Sequence, residues 1–259
     1  MRGWQMGEII GSRRRLRQPM VWTGEEQEGA SWEEALGRTG EALRRLREDD
    51  PASIGIVLGD GLSNEEAFAA RRLADLIGTP NVASLGVELD AAAIHGLEHV
   101  LGGPYRAPAP EELDGADLFL CVSSNLQHIN PRAAGAMARR LQGGARMVLI
   151  DEVDQGLGVW AAHYARHRPG ARAHALRQLA AALSSGEVPA GPLHADDVQK
   201  AVDEIESSRR LAVVLSAEAV TTTDEGEALG RLVQALRAEM RWVGVHMLPS
   251  GANTFGALD

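Results

Sequence analysis

Cysteine and lysine are almost missing from this sequence of 259 residues, which contains one of each, Cys121 and Lys200. A single thiol excludes an internal disulfide. It also excludes an iron–sulfur cluster held by this chain alone, because such clusters need about four cysteine ligands. Cys121 stands inside an apolar run, which predicts an inert buried thiol. With one lysine, the chain draws nearly all of its positive charge from arginine.

Long apolar runs are missing as well. No run approaches the ~20 residues that cross a bilayer, and the N-terminus lacks the apolar core of a signal peptide, so we predict a cytoplasmic location. The formal net charge of −10 argues against a nucleic acid or an anionic membrane as partner, since either would favour a basic surface. The basic run at 13–17 is short, and it predicts a solvated or ion-paired segment.

Short apolar runs alternate with helical patterns along the chain. Ser31 and Ser63 each precede a glutamate by three residues, the capping-box spacing, and Asn130 precedes Pro131, which suits a first helical residue. Together, these signals predict helices at 31–48, 63–77, 131–142, 172–183, 196–207 and 225–240, and strands at 54–58, 117–122, 147–150, 211–215 and 242–245. Such alternation predicts an α/β fold that is Rossmann-like, with mostly parallel sheets and helices on both faces.

We divide the chain into four segments on this pattern. They are an N-terminal arm with the first helix (1–50), a first α/β subdomain (51–115), a Rossmann-like subdomain (116–190) and a C-terminal α/β segment that completes the sheets (191–259). In such sheets, ligands bind at the carboxyl ends of strands, which predicts loops 59–63, 123–128 and 151–155 as candidate sites. The first loop holds only a Gly-x-Gly, and no phosphate-binding Gly-Lys-Ser/Thr sequence occurs.

Six short phrases occur in a fixed order along the chain. They are RLRQPM (15–20), ASWEEAL (30–36), SNEE (63–66), GTPNV (78–82), GADLFLCVSSN (115–125) and GANTFG (251–256). This ordered set resembles the molybdopterin oxidoreductases, a family that includes formate dehydrogenases, formylmethanofuran dehydrogenases and the large peripheral subunit of respiratory complex I. The fold that the resemblance implies agrees with the alternation of strands and helices.

The resemblance implies three ligand residues. In the family, the loop after the 115–125 phrase approaches the pterin dinucleotide, which makes Ser124 and Asn125 candidates; the alternative is that they only shape the turn before the next helix. Asp151 occupies the third loop. Active relatives follow this aspartate with proline, arginine and threonine, whereas Glu152, Val153 and Asp154 stand here and add negative charge where phosphates would approach.

The residues that the family uses for catalysis do not match. The cluster-binding segment of the family precedes the 15–20 phrase, and this chain begins about where that segment would end, so we expect the cluster module to be missing. Downstream of GTPNV, active formate dehydrogenases carry a metal-binding cysteine or selenocysteine, whereas residues 83–90 offer only Glu88 and Asp90 as potential ligands. We therefore predict no catalytic residue and no metal site. For His95 and His99, which are four residues apart, we predict a role on the surface or in packing.

These departures predict a non-catalytic structural subunit of a larger cytoplasmic redox complex, with no cofactor of its own and with iron–sulfur or flavin proteins as partners. One alternative is the pterin-dinucleotide-binding part of a split formate or formylmethanofuran dehydrogenase, which would bind molybdopterin guanine dinucleotide. Another is a stand-alone nucleotide-binding domain. The N-terminal segment is unusually apolar for a chain terminus, so we expect it to dock on a partner chain; the alternative is that it folds back on its own core. Its apolar residues are Trp4, Met6, Ile9, Ile10, Met20 and Trp22.

Overall fold

The computed structural model describes residues 2–59, 61–105, 109–122, 130–154, 156–216 and 219–249, and for residues 2–5, 86–89 and 110 it describes the backbone alone. The chain divides into two compact units. Unit 1 contains residues 1–57 and 68–82, and unit 2 contains residues 58–67 and 83–259. Within the described residues, none of the helices combines the length and the apolar character that crossing a bilayer requires.

The N-terminal part of the chain contains short strands and three helices. In chain order they are α1 (Arg2–Gly11), β1 (Met20–Trp22), β2 (Gln27–Gly29), α2 (Trp32–Asp49), β3 (Ile56–Leu58), α3 (Asn64–Ile77) and β4 (Val82–Ser84). β1 and β2 form an antiparallel hairpin, and β3 and β4 form a second two-stranded sheet. The hydroxyl of Ser31 accepts a hydrogen bond from Glu34 N, and Ser63 and Glu66 cap each other reciprocally, so both predicted helix starts are confirmed.

The predicted buried strand at 54–58 is wrong in its length and burial. Only Ile56–Leu58 is a strand, and Val57 is 70% exposed. The physical reason is that β3 belongs to a sheet of only two short strands, which is too small for other elements to cover both of its faces. The helix that follows is as predicted: it ends at Ile77, and Gly78 adopts a left-handed φ of 83° that stops it.

The rest of unit 2 is a parallel α/β sandwich. Its elements are α4 (Leu85–Leu101), β5 (Leu118–Val122), α5 (Pro131–Gln142), β6 (Arg146–Asp151), β7 (His163–Arg166), α6 (Arg172–Ser185), α7 (Ala195–Ser207), β8 (Leu211–Ser216), α8 (Thr223–Glu239) and β9 (Val243–Leu248). The five strands form one sheet in the order β7-β6-β5-β8-β9, and every neighbouring pair is parallel. The Rossmann-like fold class predicted from the sequence is confirmed.

The core lies on both faces of this sheet, because side chains alternate along each strand. Leu118, Leu120 and Val122 of β5 belong to the core beneath α4, α6, α7 and α8. Phe119 and Cys121 point to the opposite face, where they share a second core with Met137 of α5. Burial raises the pKa of Cys121 to about 12, so the prediction of an inert buried thiol is confirmed.

Candidate functional site

The strand order creates a crevice next to β5. From β5 the chain proceeds outward through β6 and β7, and it then crosses back to β8 on the other side of β5. At such a reversal the connecting loops diverge, which leaves room for a ligand at the carboxyl ends of the strands. β6 and β8 flank β5, so their ends lie about 10 Å apart at a strand spacing of about 4.8 Å. The crevice therefore lies beyond Val122, Asp151 and Ser216.

One of the three predicted ligand residues lies at this crevice. Asp151 is the last residue of β6, is 1% exposed, and accepts a hydrogen bond from Glu152 N at 2.7 Å through Oδ1. Ser124 and Asn125 fall outside the described residues. Ser216, the last residue of β8, is also buried, and it lies at the same carboxyl end of the sheet. Ser216 was not among the predicted site residues, although a polar residue that ends an apolar strand is a recognisable signal in the sequence.

A buried ion-pair cluster spans the crevice on the side covered by α6 and α8. The side chain of Arg172, at the start of α6, is 10% exposed. Its Nη1 donates to Ala219 O and lies 3.3 Å from Oε1 of Glu225, and its Nη2 lies 3.8 Å from Oε1 of Glu152. These residues, called the Arg172 cluster below, tie the loop after β6 to the loop after β8.

Glu225 is fixed in this cluster by the way α8 begins. Thr222 caps the helix, and its hydroxyl accepts a hydrogen bond from Glu225 N at 3.2 Å. The other carboxylate oxygen of Glu225 accepts from Thr221 N at 2.9 Å. The Thr222 and Glu225 spacing is visible in the sequence, but the third partner, Arg172, is 53 residues away from Glu225. Spacing alone therefore reveals the cap and not the ion pair.

The acidic loop after β6 uses its charges within the protein. Asp154 Oδ1 accepts hydrogen bonds from Gly158 N at 2.9 Å and Gly156 N at 2.8 Å. These two donors, Gly158 more than Gly156, lower the pKa of Asp154. Glu152 belongs to the Arg172 cluster. The two carboxylates that replace the family's usual residues are thus engaged with groups of this chain.

Two side chains near Asp151 have buried polar atoms: Tyr164, which is half-buried as a residue, and His167. His167 is 3% exposed, its backbone N donates to Asp151 O at 3.2 Å, and its Nδ1 lies 2.9 Å from Arg168 O. Tyr164 Oη and His167 Nε2 have no hydrogen-bond partner among the described residues. Burial, followed by the negative charge of Asp151, raises the pKa of Tyr164.

In the part of the chain that the structure describes, no three His, Cys, Asp or Glu side chains come together in a way that could hold a metal ion. Asp90 is buried within α4. The Glu88 side chain is not among those described. His95 and His99 lie on the surface of α4, at 3.8 Å from Glu98 Oε2 and 3.1 Å from Glu227 Oε1, respectively.

Comparison with known proteins decides the family. The family model of the molybdopterin oxidoreductases matches residues 15–259. This chain belongs to the molybdopterin oxidoreductase family. The resemblance inferred from the six phrases is thereby confirmed.

Curated family members are much longer than this chain. It is 26% identical over 153 residues to the probable oxidoreductase YjgC of Bacillus subtilis, covering 58% of this chain and 15% of that protein. It is 26% identical over 145 residues to the F420-dependent formate dehydrogenase 2 subunit alpha of Methanococcus maripaludis, covering 56% and 21%. A nitrate reductase of Klebsiella oxytoca is 27% identical over 155 residues, covering 58% and 17%. The chain thus spans about a fifth or less of these relatives.

Solved structures share the fold. Acetylene hydratase from Pelobacter acetylenicus superposes with a TM-score of 0.71 and 16% identity, covering 98% of this chain and 38% of the hydratase chain. The formyltransferase/hydrolase complex FhcABCD from Methylorubrum extorquens contains a chain that superposes with a TM-score of 0.58 and 18% identity, covering 80% and 57%. At these identities the likeness concerns the fold alone.

The described crevice residues fit the phosphates of the family's pterin dinucleotide poorly. Asp151, Glu152 and Glu225 bring three carboxylates to the strand ends, and Arg172 already lies between two of them. A phosphate would face net negative charge there, and in a partly buried site that repulsion is weakly screened. The residues suit a closed ion-pair network better than an anion site.

Proposed function

We propose that this molybdopterin oxidoreductase chain is a non-catalytic structural subunit of a multi-subunit cytoplasmic redox complex and holds no pterin, metal or cluster of its own. The observation that carries the proposal is the Arg172 cluster. Arg172 and Glu225 are each about one-tenth exposed and bind each other at the place where a parallel sheet would otherwise bind its ligand. Opening this network for a dinucleotide would leave buried charges without partners, which is costly.

Exposed apolar side chains support a role in an assembly. Met6, Ile9 and Ile10 of α1 are 49%, 58% and 61% exposed. None of the residues of α2 is buried, although this helix carries Trp32, Leu36 and Leu46. Contiguous exposed apolar surface marks binding sites for other proteins. We expect α1 and α2 to pack against partner chains.

The relatives point in the same direction. One is named as subunit alpha of a formate dehydrogenase, and the solved structure with 57% coverage is the formyltransferase/hydrolase complex FhcABCD. That the partners are iron–sulfur or flavin proteins is part of this proposal. None of the contacts described above identifies the kind of partner.

The test is purification from the native host, followed by elemental analysis and separation by size. We expect a complex that contains other chains and, after those chains are removed, no stoichiometric molybdenum, tungsten or iron in this one. An isolated monomer would contradict the structural role, and stoichiometric molybdenum or tungsten in the isolated chain would contradict the missing cofactor.

The docking surface is tested by variants of α1. Replacing Ile9 and Ile10 with serine removes apolar contact area, and we expect fewer copurifying chains. Replacing the exposed Arg13 and Arg14 with serine is the matched control, and we expect it to retain them. Deletion of residues 1–22 should give the same loss as the isoleucine variant. An unchanged set of partners in both would remove this segment from the interface.

One observation favours the split-enzyme alternative. Asp151 ends the strand beside β5, the position from which an acidic side chain reaches a ribose hydroxyl in dinucleotide-binding sheets. In that case Asp151, with Ser124 and Asn125, would hold molybdopterin guanine dinucleotide, and partner chains would supply the cluster and the metal ligand. Asn125→Ala would then weaken binding of the dinucleotide in calorimetry, whereas no binding by the unaltered chain would support the structural role.

A further inference from the structure

The outer edge of β9 carries backbone groups that do not face the sheet. Among the described residues, β9 is a terminal strand of the sheet and pairs with β8 alone. Trp242 O accepts a hydrogen bond from Leu211 N of β8. Successive residues of a strand direct their backbone groups to opposite sides, so the even-numbered residues 242–248 direct theirs toward β8 and the odd-numbered residues direct theirs outward. Val243, Val245 and Met247 therefore direct their N–H and C=O groups away from the sheet.

Tyr105 already occupies part of this edge. Its hydroxyl donates to Val245 O at 2.8 Å and accepts from Met247 N at 3.0 Å. These are the two interactions that the backbone of a neighbouring strand would make. The side chain thus acts as a one-residue substitute for a sixth strand at the carboxyl-terminal half of β9.

An open cleft continues from Tyr105 along the first half of the strand. It has a volume of about 540 Å³, and its wall includes the consecutive residues 242–245 of the strand edge. Leu101 and Pro104 line it opposite the strand, and Glu98, Glu112 and Arg237 add charge. The cleft therefore offers an extended backbone edge, apolar walls and two carboxylates.

We propose that this cleft binds an extended segment of a partner protein, which adds to β9 as a short sixth strand and places a basic side chain between Glu98 and Glu112. Strand addition of this kind draws its affinity from backbone hydrogen bonds and its selectivity from alternate side chains. The proposal concerns unit 2 alone and does not depend on the structural role proposed above.

The two carboxylates are preorganised for a cation. Glu98 Oε1 accepts from Tyr105 N at 2.9 Å, and Glu112 Oε1 accepts from Ala109 N at 3.1 Å. Each glutamate is therefore held by a backbone hydrogen bond that a glutamine would also accept. Glu98 Oε2 also lies 3.8 Å from Nδ1 of the exposed His95, whereas no ion pair of Glu112 is described. Among the described residues of the cleft lining, Arg237 is the only cationic side chain, so two carboxylates face one guanidinium group and the balance favours a lysine or arginine in the bound segment.

The first test uses a fluorescein-labelled probe peptide, Gly-Val-Lys-Val-Thr-Gly, and anisotropy titration of the full chain. The matched probe has the same sequence with alternate backbone nitrogens methylated, so that one edge of the peptide cannot donate hydrogen bonds. We expect saturable binding of the first probe and about fivefold weaker binding of the probe that is methylated on the edge facing β9, the change that one lost hydrogen bond produces. Only one bond is lost because Tyr105 already donates to Val245 O, which leaves Val243 O as the outward acceptor along the cleft. Absent binding, or equal binding of all methylated forms, would overturn the proposal.

The second test changes the strand edge itself. Val243→Pro removes an outward N–H and leaves the bonds to β8 in place, a position where a terminal strand tolerates proline. Val243→Ala keeps the N–H and is the control. We expect about fivefold weaker binding for the proline variant, which loses one hydrogen bond, and a change within about twofold for the alanine variant. Equal affinity in a folded proline variant would contradict strand addition; if that variant does not fold, as judged by circular dichroism, the methylated probe decides.

The charge component has its own variants. Glu98→Gln and Glu112→Gln each retain the acceptor and lose the charge, so we expect the lysine probe to bind about fivefold more weakly, as for a partly exposed ion pair. A probe with norleucine in place of lysine should not distinguish these variants from the unaltered chain. The same loss for both probes would show that the carboxylates shape the cleft and do not select a cation.

Discussion

The contact between α4 and α8 leads to our most specific prediction. In this contact the two helices touch through glycine. A Cβ atom added to Gly96 would lie 2.6 Å from Glu227 N and still closer to the Cα and carbonyl carbon of Gly226. Carbon atoms in contact normally lie 3.5–4.0 Å apart, so the Gly96→Ala variant would force the helices apart by roughly 1 Å. The obstructing atoms are backbone atoms, which cannot rotate away.

Two opposing effects set the magnitude. Alanine favours the helical state over glycine by about 1 kcal/mol, whereas a forced shift in a packed core costs about 1–3 kcal/mol, with rigid backbone contacts at the upper end. We expect a net loss of about 2 kcal/mol in the free energy of unfolding of unit 2. For a unit of this size that corresponds to a melting temperature roughly 4–8 °C lower.

The matched control is Gly135→Ala in α5. There an added Cβ would meet only Arg139 Nη1 at 3.8 Å, an ordinary contact. The helix-propensity gain should therefore appear alone, as about 1 kcal/mol of added stability. Urea denaturation followed by circular dichroism measures both variants. A Gly96→Ala variant as stable as the unaltered chain would refute the close backbone contact.

A double-mutant cycle sharpens the test. A Cβ on Gly226 would lie 2.9 Å from the Cα of Gly96 and still closer to Ala92 O on the same helix, so both substitutions strain the contact between α4 and α8. Once one alanine has separated the helices, the second should cost less than it does alone. Additive losses for Gly96→Ala and Gly226→Ala would contradict a shared contact.

Three further predictions concern buried polar groups. Tyr105→Phe should destabilise unit 2 by about 1–3 kcal/mol in urea denaturation, because Val245 O and Met247 N lose their partner; an unchanged stability would show that water replaces the hydroxyl. Burial lowers the pKa of His246 to about 4, below the 6.5 of a histidine in the unfolded chain. Between pH 6.5 and about 4 the unfolded chain therefore binds more protons than the folded one. The free energy of unfolding falls as pH falls through this range, by at most about 3 kcal/mol. His246→Leu should flatten this part of the pH profile, and an unaltered slope would assign it to other groups. Glu204→Gln should lower the free energy of unfolding by about 1–2 kcal/mol, because the buried carboxylate forms ion pairs with Arg146 and His163. The loss stays moderate because Arg146 is half exposed, so solvent screens its charge. A loss that does not depend on salt would contradict the ionic origin.

Capping signals and apolar runs in unit 2 were sufficient to predict most of its elements. Asn130 caps α5 through Ala133 N, and the predicted strand at 211–215 appears as Leu211–Ser216. Such signals are local, so they survive without knowledge of the tertiary structure. The five-stranded sheet also joins the predicted segments 116–190 and 191–259.

Elements that depend on distant partners escaped prediction. β7 reads His163-Tyr164-Ala165-Arg166, and its polar residues show no strand pattern because it is a terminal strand beside β6. β4 is only three residues long and leads directly into α4, whose alanine and glycine content weakens a helical stripe. At the site, Asp151 was predictable from its place after an apolar strand. The Arg172 cluster was not, because its members come together only when the loops after β6 and β8 meet.

The position of β5 at the centre of the sheet has a consequence for synthesis. Its residues Leu118–Val122 are all buried, and they pair with β6 on one side and with β8 on the other. β8 is translated roughly 90 residues after β5, which at about 5–20 residues per second leaves the backbone groups along one edge of β5 unpaired for about 5–20 s. Open strand edges recruit other chains. The nascent chain thus exposes its most aggregation-prone strand before the partner strand exists, and slower translation of the segment between them would lengthen that exposure.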